Sequence, residues 1–365
     1  MINNDIKIKI TQNLRTWYRG NARDIPWRKT HDPYLIWVSE IMLQQTRVET
    51  VIPYYQRWQK QLPTLNSLAE ADQDLVLNLW EGLGYYKRAL NMHKTAQILL
   101  SQYEGKLPRD VKSLQNLPGI GRYSAGAISS IAYNLPAPIV DGNIRRIFTR
   151  IFNINTPIQS TETEKVLWQI ALDILPDDNA REFNQALMEL GALICLPKNP
   201  LCTQCPVKNT CRANDLNLQS ELPVRKEKPP LPHLLVTAAI IKNNGKVLLA
   251  KRPPEGLLGG MWEYPGGKQE FNETPPETLS REIQEELNIK IQVGKLFGIY
   301  HHAYTHYKIT LNAYYCHLES DNMHLNYHTE ITWVPLSALD DFPMGKLDRL
   351  ISRELQTEIT ADLLD

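Results

Sequence analysis

The chain has 365 residues, 42% of them hydrophobic and 22% charged, with 40 basic and 40 acidic side chains. That length suits two or three domains with separate cores, and the charge balance excludes a strongly basic nucleic-acid-binding domain. No run approaches the eighteen or so apolar residues that span a bilayer, so no membrane partner is expected. The charge is mildly uneven: 25 basic against 21 acidic residues in 1–222, and 15 against 19 in the remainder. Met1-Ile2-Asn3-Asn4-Asp5 lacks the basic and apolar regions of a secretory signal, so a cytoplasmic protein is expected.

Residues 1–220 read as almost wholly helical, with Pro and Gly between the helices. Asp32-Pro33 is an N-cap followed by proline at the first helical position. Leu35, Val38, Met42 and Val48 then recur at roughly helical spacing. Glu40 lies between Val38, Ile41 and Met42, an apolar setting that would raise its pKa and keep it a proton donor. Away from such a setting it would be an ordinary solvated helix residue. Further helices are expected around 68–80, 87–103, 123–132, 142–152 and 162–175. Leu117-Pro118-Gly119-Ile120-Gly121-Arg122 precedes the third of these. Its two glycines allow a tight turn that presents backbone N–H groups at a helix N-terminus, a helix-hairpin-helix able to grip a phosphate without reading sequence. Twenty residues after Gly121 comes Asp141, in Val140-Asp141-Gly142-Asn143, where it also suits an N-cap.

Four of the five cysteines, Cys195, Cys202, Cys205 and Cys211, follow the spacing C-x6-C-x2-C-x5-C. In a reducing compartment such clustering favours a metal site over disulfides. Four thiolates in one short loop can hold a 4Fe-4S cluster. Zinc, the alternative, more usually shows two Cys-x2-Cys pairs. Residues 223–232 contain four prolines and a charge run, the composition of a stiff, extended linker. Beyond it the pattern turns β-rich. Strands are expected at 234–241 and 246–250 about the turn Asn243-Asn244-Gly245, with a helix at 276–287 and strands at 291–300, 309–317 and 332–334. Cys316 falls in the last strand but one and is expected in its core.

Ile25-Pro26-Trp27-Arg28, the run from Trp37 to Thr46, Trp80-Glu81-Gly82-Leu83-Gly84-Tyr85-Tyr86 and Phe183-Asn184-Gln185-Ala186-Leu187-Met188-Glu189-Leu190-Gly191-Ala192 closely resemble the adenine DNA glycosylase (MutY) family. That family belongs to the helix-hairpin-helix glycosylase superfamily, and the resemblance runs through residues 15–222. It implies a multidomain chain. An all-α helix-hairpin-helix glycosylase over 1–222, with its hairpin at 117–127 and iron-sulfur loop at 195–211, is joined by the linker to an α+β domain over 233–365. It also implies a base excision repair enzyme that flips and excises adenine mispaired with 8-oxoguanine or guanine in duplex DNA. Glycosidic hydrolysis through an oxocarbenium-like sugar asks for one carboxylic acid and one carboxylate. In the resemblance these are Glu40, which protonates the base, and Asp141, which stabilises the sugar cation. Tyr123 would support the acid and Asn143 would position the sugar or water. Trp27 would stack on the flipped base while Arg28 and Gln185 bond its edge. Leu43, Gln45, Thr46, Tyr85, Arg88, Gly119 and Gly121 would contact DNA, with Gln45 and Tyr85 wedged beside 8-oxoguanine. Members that also cut the backbone carry a Lys two residues after the second glycine, whose amine forms a Schiff base. Tyr123 stands there in this chain, so a monofunctional glycosylase is expected, acting as a monomer on nucleoid DNA.

Gly267-x5-Glu273-x7-Arg281-Glu282-Ile283-Gln284-Glu285-Glu286-Leu287-Asn288-Ile289 resembles the Nudix box, with Asn288 in place of glycine. Asn is the next-best residue for a left-handed helix cap. In Nudix hydrolases such carboxylates bind Mg²⁺ and diphosphates, whereas in adenine glycosylases the domain recognises 8-oxoguanine; the second use is expected here. A family loop reading Phe-Ser-His is matched by Tyr304-Thr305-His306, which assigns lesion contact to Thr305 and His306.

Overall fold

The computed structural model describes residues 2–226, 229–320 and 322–362. Glu227 and Lys228 of the expected linker, together with Met1, Asp321 and 363–365 of the expected domains, lie outside the described residues. The chain divides into two compact units, one of Met1–Glu70 with Asn91–Lys228 and the other of Ala71–Leu90 with Pro229–Asp365. The expected helical domain over 1–222 is therefore interrupted. Residues 71–90 cluster with the C-terminal half. The start of the linker, in turn, belongs to the helical unit, where Ile158 N–H donates to the Val224 carbonyl at 3.0 Å.

The helices run in order α1 (Asn4–Asn21), α2 (Pro33–Met42), α3 (Val48–Gln61), α4 (Leu65–Ala69), α5 (Gln73–Trp80), α6 (Lys87–Gln102), α7 (Val111–Gln115), α8 (Arg122–Tyr133), α9 (Gly142–Ile151), α10 (Thr161–Ile174), α11 (Ala180–Leu193) and α12 (Arg212–Asp215). Asp32 caps α2 by accepting from Tyr34 N–H. The apolar spacing that continues to Val48 does not continue the helix. Leu43 to Thr46 form a turn in which Gln45 takes φ 57°, and α3 starts afresh at Val48. The single helix expected over 68–80 is two helices, because the Asp72 carboxylate accepts from Asp74 N–H at 2.7 Å and caps a new start.

The core of the helical unit gathers around α9. Ile144, Ile147 and Phe148 pack with Ile10 and Leu14 of α1, Leu167 and Ala171 of α10, and Phe183, Leu187 and Leu190 of α11. Helix α9 can approach α11 closely because Gly191 has no Cβ; one built there would stand 2.7 Å from Asn143 Cβ. Asn184 of α11 bonds Ser130 Oγ on α8 at 2.8 Å and the Ala137 carbonyl at 2.9 Å, so α8, α9 and α11 form one block. None of the described helices is long and apolar enough to cross a membrane.

In the second unit, β1 (His233–Asn243), β2 (Lys246–Lys251), β3 (Trp262–Glu263), α13 (Pro275–Leu287), β4 (Ile291–Ala303), β5 (Lys308–Leu318), β6 (Glu330–Pro335) and α14 (Lys346–Asp362) follow α5. The sheet order is β3-β2-β1-β5-β4, with β6 beside β2; β1 runs parallel to β5 and the other pairs are antiparallel. Alternation along β1 sends Ala239 and Ile241 to the face covered by Leu279, Ile283 and Leu287 of α13. Ala238 and Ile240 go to the face covered by Leu347, Ile351 and Leu355 of α14. Cys316 lies in the α13 layer and is buried. Asn288 ends α13 in the left-handed conformation at φ 52°, as its place in the box requires.

Residues 71–90 are held to this unit by charge as well as packing. Arg349 of α14 makes paired bonds to Glu81 at 2.6 and 2.9 Å, and Met344 N–H donates to the same carboxylate at 3.0 Å. The Arg349 side chain is 8% exposed. An Arg349→Ala variant leaves Glu81 without its cation, and breaking a buried pair from one side costs about 3 kcal/mol. Chemical denaturation is expected to show that loss in the transition of this unit.

Candidate active site

Helices α2 and α8, together with the N-terminus of α9, bring three sequence-predicted residues to one cavity of the helical unit. Glu40 is 4% exposed, and the Tyr123 hydroxyl donates to its Oε2 at 2.8 Å. Burial raises the Glu40 pKa to about 7, opposed by the Tyr123 bond and assisted by the nearby charge of Asp141. Asp141 caps α9 by accepting from Ile144 N–H at 2.7 Å. Burial pushes its pKa up too, while the backbone N–H groups of Ile144 and Asn143 oppose that rise by favouring the carboxylate. The two acids thus share a cavity but not an environment: one has a phenol as donor, the other a helix N-terminus.

The same cavity is lined by Trp27, Arg28, Leu43, Gln45, Thr46, Gly119, Gly121, Asn143 and Gln185. Trp27 is buried edge-on to Tyr55, with ring centroids 5.4 Å apart. Gln185 accepts from the Tyr18 hydroxyl at 2.8 Å, and the Arg28 guanidinium lies 5.4 Å from the centre of the Tyr18 ring. Gly119 takes φ +75°, and a Cβ there would stand 2.7 Å from Asn91 Cβ, so the hairpin needs glycine at this point.

Glu189, unassigned in the sequence reading, sits at the back of this group. It is 0% exposed. Arg28 bonds it at 2.5 and 3.0 Å, and Arg23 does so through N, Nε and Nη2, each at 2.9 Å. Burial alone would raise its pKa, but the two guanidiniums outweigh burial and hold it at about 2. The only signal for it in sequence was an acid within the Gln185-to-Ala192 motif, on the face of α11 that carries Gln185.

Asn143 has a second neighbour that sequence did not reveal. Arg146, one turn along α9, donates to Asn143 Oδ1 at 2.9 Å, to the Gly191 carbonyl at 2.8 Å and to the Cys195 carbonyl at 2.7 Å. Arg150, a turn further, reaches Cys195 Sγ at 3.4 Å and the Leu196 carbonyl at 2.7 Å. Cys195, Cys202, Cys205 and Cys211 line one apolar hollow with Ile147 and Val207. Burial pushes the Cys205 thiol up to about 12, and each of the other three cysteines adds to that rise. Among the described residues no three Cys, His, Asp or Glu side chains lie close enough to share a single ion.

Four other predicted contact residues belong to the second unit. Tyr85, at φ 49°, places its hydroxyl 2.5 Å from Thr305 Oγ1. Arg88 donates to the Leu83 and Gly84 carbonyls at 3.1 Å and lies over the Trp80 and Tyr85 rings. His306 is exposed on the turn after Thr305. On and just before α13, three of the box carboxylates pair with one arginine. Arg281 pairs with Glu273 at 2.6 Å, Glu282 at 3.1 Å and Glu285 at 3.2 Å. Burial raises Glu286 to about 8, and it faces the buried His328 at 3.9 Å.

Comparison with known proteins finds two families along the chain, the first of them spanning residues 71–90 without a break. Residues 38–171 match the HhH-GPD superfamily of base excision DNA repair proteins, and residues 236–354 match the NUDIX domain. The adenine DNA glycosylase of Buchnera aphidicola subsp. Baizongia pistaciae is 41% identical over 70% of this chain and 72% of its own length. The adenine DNA glycosylase of Homo sapiens is 34% identical over 89% of this chain and 69% of its own. A thermostable thymine-DNA glycosylase structure superposes with a TM-score of 0.53 at 27% identity, covering 58% of this chain and 98% of that one. Endonuclease III in a non-covalent complex with DNA gives a TM-score of 0.50 at 21% identity over 60% of this chain and 100% of that one, a likeness of fold.

The Tyr123 bond opposes the effect of burial on Glu40. Tyr123→Phe is therefore expected to raise the Glu40 pKa above about 7. A ¹³C titration of labelled glutamate, assigned through Glu40→Gln, checks it; a pKa that stays or falls would show that the phenol does not hold the charged form.

Proposed function

The chain belongs to the adenine DNA glycosylase family, and from the family and the cavity together we propose that it is a monofunctional enzyme excising adenine opposite 8-oxoguanine or guanine in duplex DNA. The observation that carries this reading is the pair Glu40 and Asp141: two carboxyl groups of one cavity, one shifted to about 7 by burial and one at a helix N-terminus. Glu40 gives its proton to the departing base. The Asp141 carboxylate then faces the positive charge that develops on the sugar. Tyr123 fixes the Glu40 carboxyl group, and Asn143, held by Arg146, orients the sugar or the attacking water. Trp27 stacks on the flipped adenine while Arg28 and Gln185 bond its edge. The anchored Glu189 keeps Arg28 in place. The hairpin glycines Gly119 and Gly121 and the turn residues Leu43, Gln45 and Thr46 grip the strand. No lysine is among the described residues that line the cavity, so no amine is at hand for a Schiff base.

The four cysteines fit a 4Fe-4S cluster. They line one hollow and come from one short loop, a set of four thiolates that such a cluster takes. Such a group would brace the loop that Arg146 and Arg150 tie to α9. In the second unit, Tyr85, Arg88, Thr305 and His306 recognise the lesion, and the enzyme works as a monomer on nucleoid DNA in the cytoplasm.

An adenine:8-oxoguanine duplex and an adenine:guanine duplex test the reading. Strand breaks are expected only after alkali and not with Glu40→Gln. The reacting form carries a protonated Glu40, so the excision rate should be present below pH 7 and be lost as pH rises through about 7. Breaks without alkali would remove the monofunctional assignment, and their absence in all conditions would remove the glycosylase assignment. For the second unit, the full chain with Mg²⁺ and 8-oxo-dGTP is expected to release no pyrophosphate above a blank. Turnover lost in Glu282→Gln would return this unit to nucleotide hydrolysis.

A further inference from the structure

Three arginines at the rim of the cavity have no assigned role. Arg122 opens α8 directly after the hairpin, and its guanidinium stacks 3.8 Å from the centre of the Trp168 ring. Trp168, 6% exposed, is itself fixed by its Nε1–H bond to Glu164 Oε1 at 2.7 Å. The same Glu164 carboxylate pairs with Arg145, in the first turns of α9 beyond Asp141. Arg225 arrives from the linker. The Val224 carbonyl accepts from Ile158 N–H at 3.0 Å, and Lys226 N–H donates to Gln159 at 3.4 Å, so the linker lies against the chain just before α10. All three arginines line the cavity that holds Glu40 and Asp141. Among the described residues no carboxylate is paired with Arg122 or Arg225, and Glu164 is the partner of Arg145.

Guanidiniums lining one cavity, two of them unneutralised and one of those stacked on an aromatic face, fit a ligand with closely spaced anionic oxygens. An aromatic face holds Arg122 without consuming its charge. We propose that Arg122, Arg145 and Arg225 form a phosphodiester-binding site for the backbone of the strand whose nucleotide enters the cavity, with Glu164 occupying the Arg145 fork until a phosphate replaces it. The inference rests on the DNA glycosylase reading and adds to it a side-chain contact on the backbone. The linker joins in through Arg225, so a segment that reads as a spacer becomes part of the binding surface.

The salt dependence of DNA binding tests the site. Neutralising one phosphate adds about 0.9 to the slope of log affinity against log salt. The probe is an uncleavable duplex with a tetrahydrofuran abasic analogue opposite 8-oxoguanine, with undamaged duplex beside it. Arg122→Ala, Arg145→Ala and Arg225→Ala are each expected to reduce the slope by about 0.9, so each should lose about threefold less affinity than the parent between 50 and 200 mM salt. Arg122→Lys and Arg225→Lys keep the charge and should keep the slope, which separates a phosphate contact from a folding defect. Glu164→Gln frees Arg145 and should tighten binding at low salt. Slopes unchanged in all three alanine variants would overturn the site. If the alanine variants lower the slope as expected yet the parent excises no adenine, the glycosylase reading fails while the phosphate site stands. If it excises adenine and the alanine slopes match the parent, the phosphate site fails alone.

Discussion

The constraint on which the active cavity depends is that a carboxyl group be buried without a cation to pair with it. Glu40 is enclosed by α2 and α8 with a phenol as its donor, and that enclosure raises its pKa from 4.5 to about 7. A proton held more tightly in the folded state is a stability contribution that is fully present below the unfolded pKa and is lost as pH rises through about 7. The shift corresponds to roughly 3 kcal/mol of differential interaction, a sizeable share of the stability of an ordinary domain. The helical unit offsets this elsewhere, in a core that locks α9 against α1, α10 and α11. The nearest strong cations are kept off the acid. Arg23 and Arg28 are both committed to Glu189, which is buried and held at about 2. Were Arg28 free to pair with Glu40, the acid would ionise and lose its proton at neutral pH. Glu189 thus keeps both guanidiniums paired with itself, away from Glu40.

What the sequence makes legible follows from which signals are local. The Asp32-Pro33 cap, the apolar setting of Glu40, the hairpin glycines and the Asp141 cap are each written within a few residues, and the folded chain shows those elements. The left-handed Asn288 is local in the same way: a backbone conformation that few residues tolerate identifies itself. The Glu189 cage and the Arg146 bridge are contacts between residues from 45 to 166 positions apart, and no periodicity marks them. The division of the chain was hidden for a related reason. In residues 71–90 no local pattern marks the change of unit, and distant contacts such as Arg349 to Glu81 and Lys251 to Asp74 reveal which core they complete. A proline-rich stretch reads as a spacer because composition reports stiffness. It does not report that Val224 finds a backbone donor waiting at Ile158.

In the second unit the box helix shows how one set of carboxylates is tied into its surroundings. The carboxylates of α13 stand at the spacing that would gather a hard cation on one helix face. Here Arg281 lies against three of the acids, and Glu263 is taken by Arg252 at 2.6 Å and by His328 at 2.9 Å. The acids then tie the loop from Gly267 to Glu273 onto α13. Gly267 permits this, since a Cβ there would lie 2.2 Å from the Glu282 carboxyl carbon. This helix thus braces a loop through Arg281, while the groups read as lesion contacts, Tyr85 and Thr305, lie on other segments and touch each other directly.

A chain with no net charge must still attract a polyanion, and the cavity shows how the balance is settled locally. Seven arginines and five carboxylic acids are among its lining residues. Two of those acids, Glu189 and Glu164, are already bound to arginines, and Glu40 is largely neutral below pH 7. The field that an approaching phosphate meets is therefore more positive than the composition suggests. Low-dielectric walls concentrate such a field. Of the two remaining acids, Asp141 caps α9 and Glu49 is exposed, 3.7 Å from Arg23, while among the described residues the guanidiniums of Arg122 and Arg225 have no carboxylate partner. The lining therefore keeps positive charge because most of the carboxylates that would neutralise it are protonated, at a helix N-terminus or already held by an arginine.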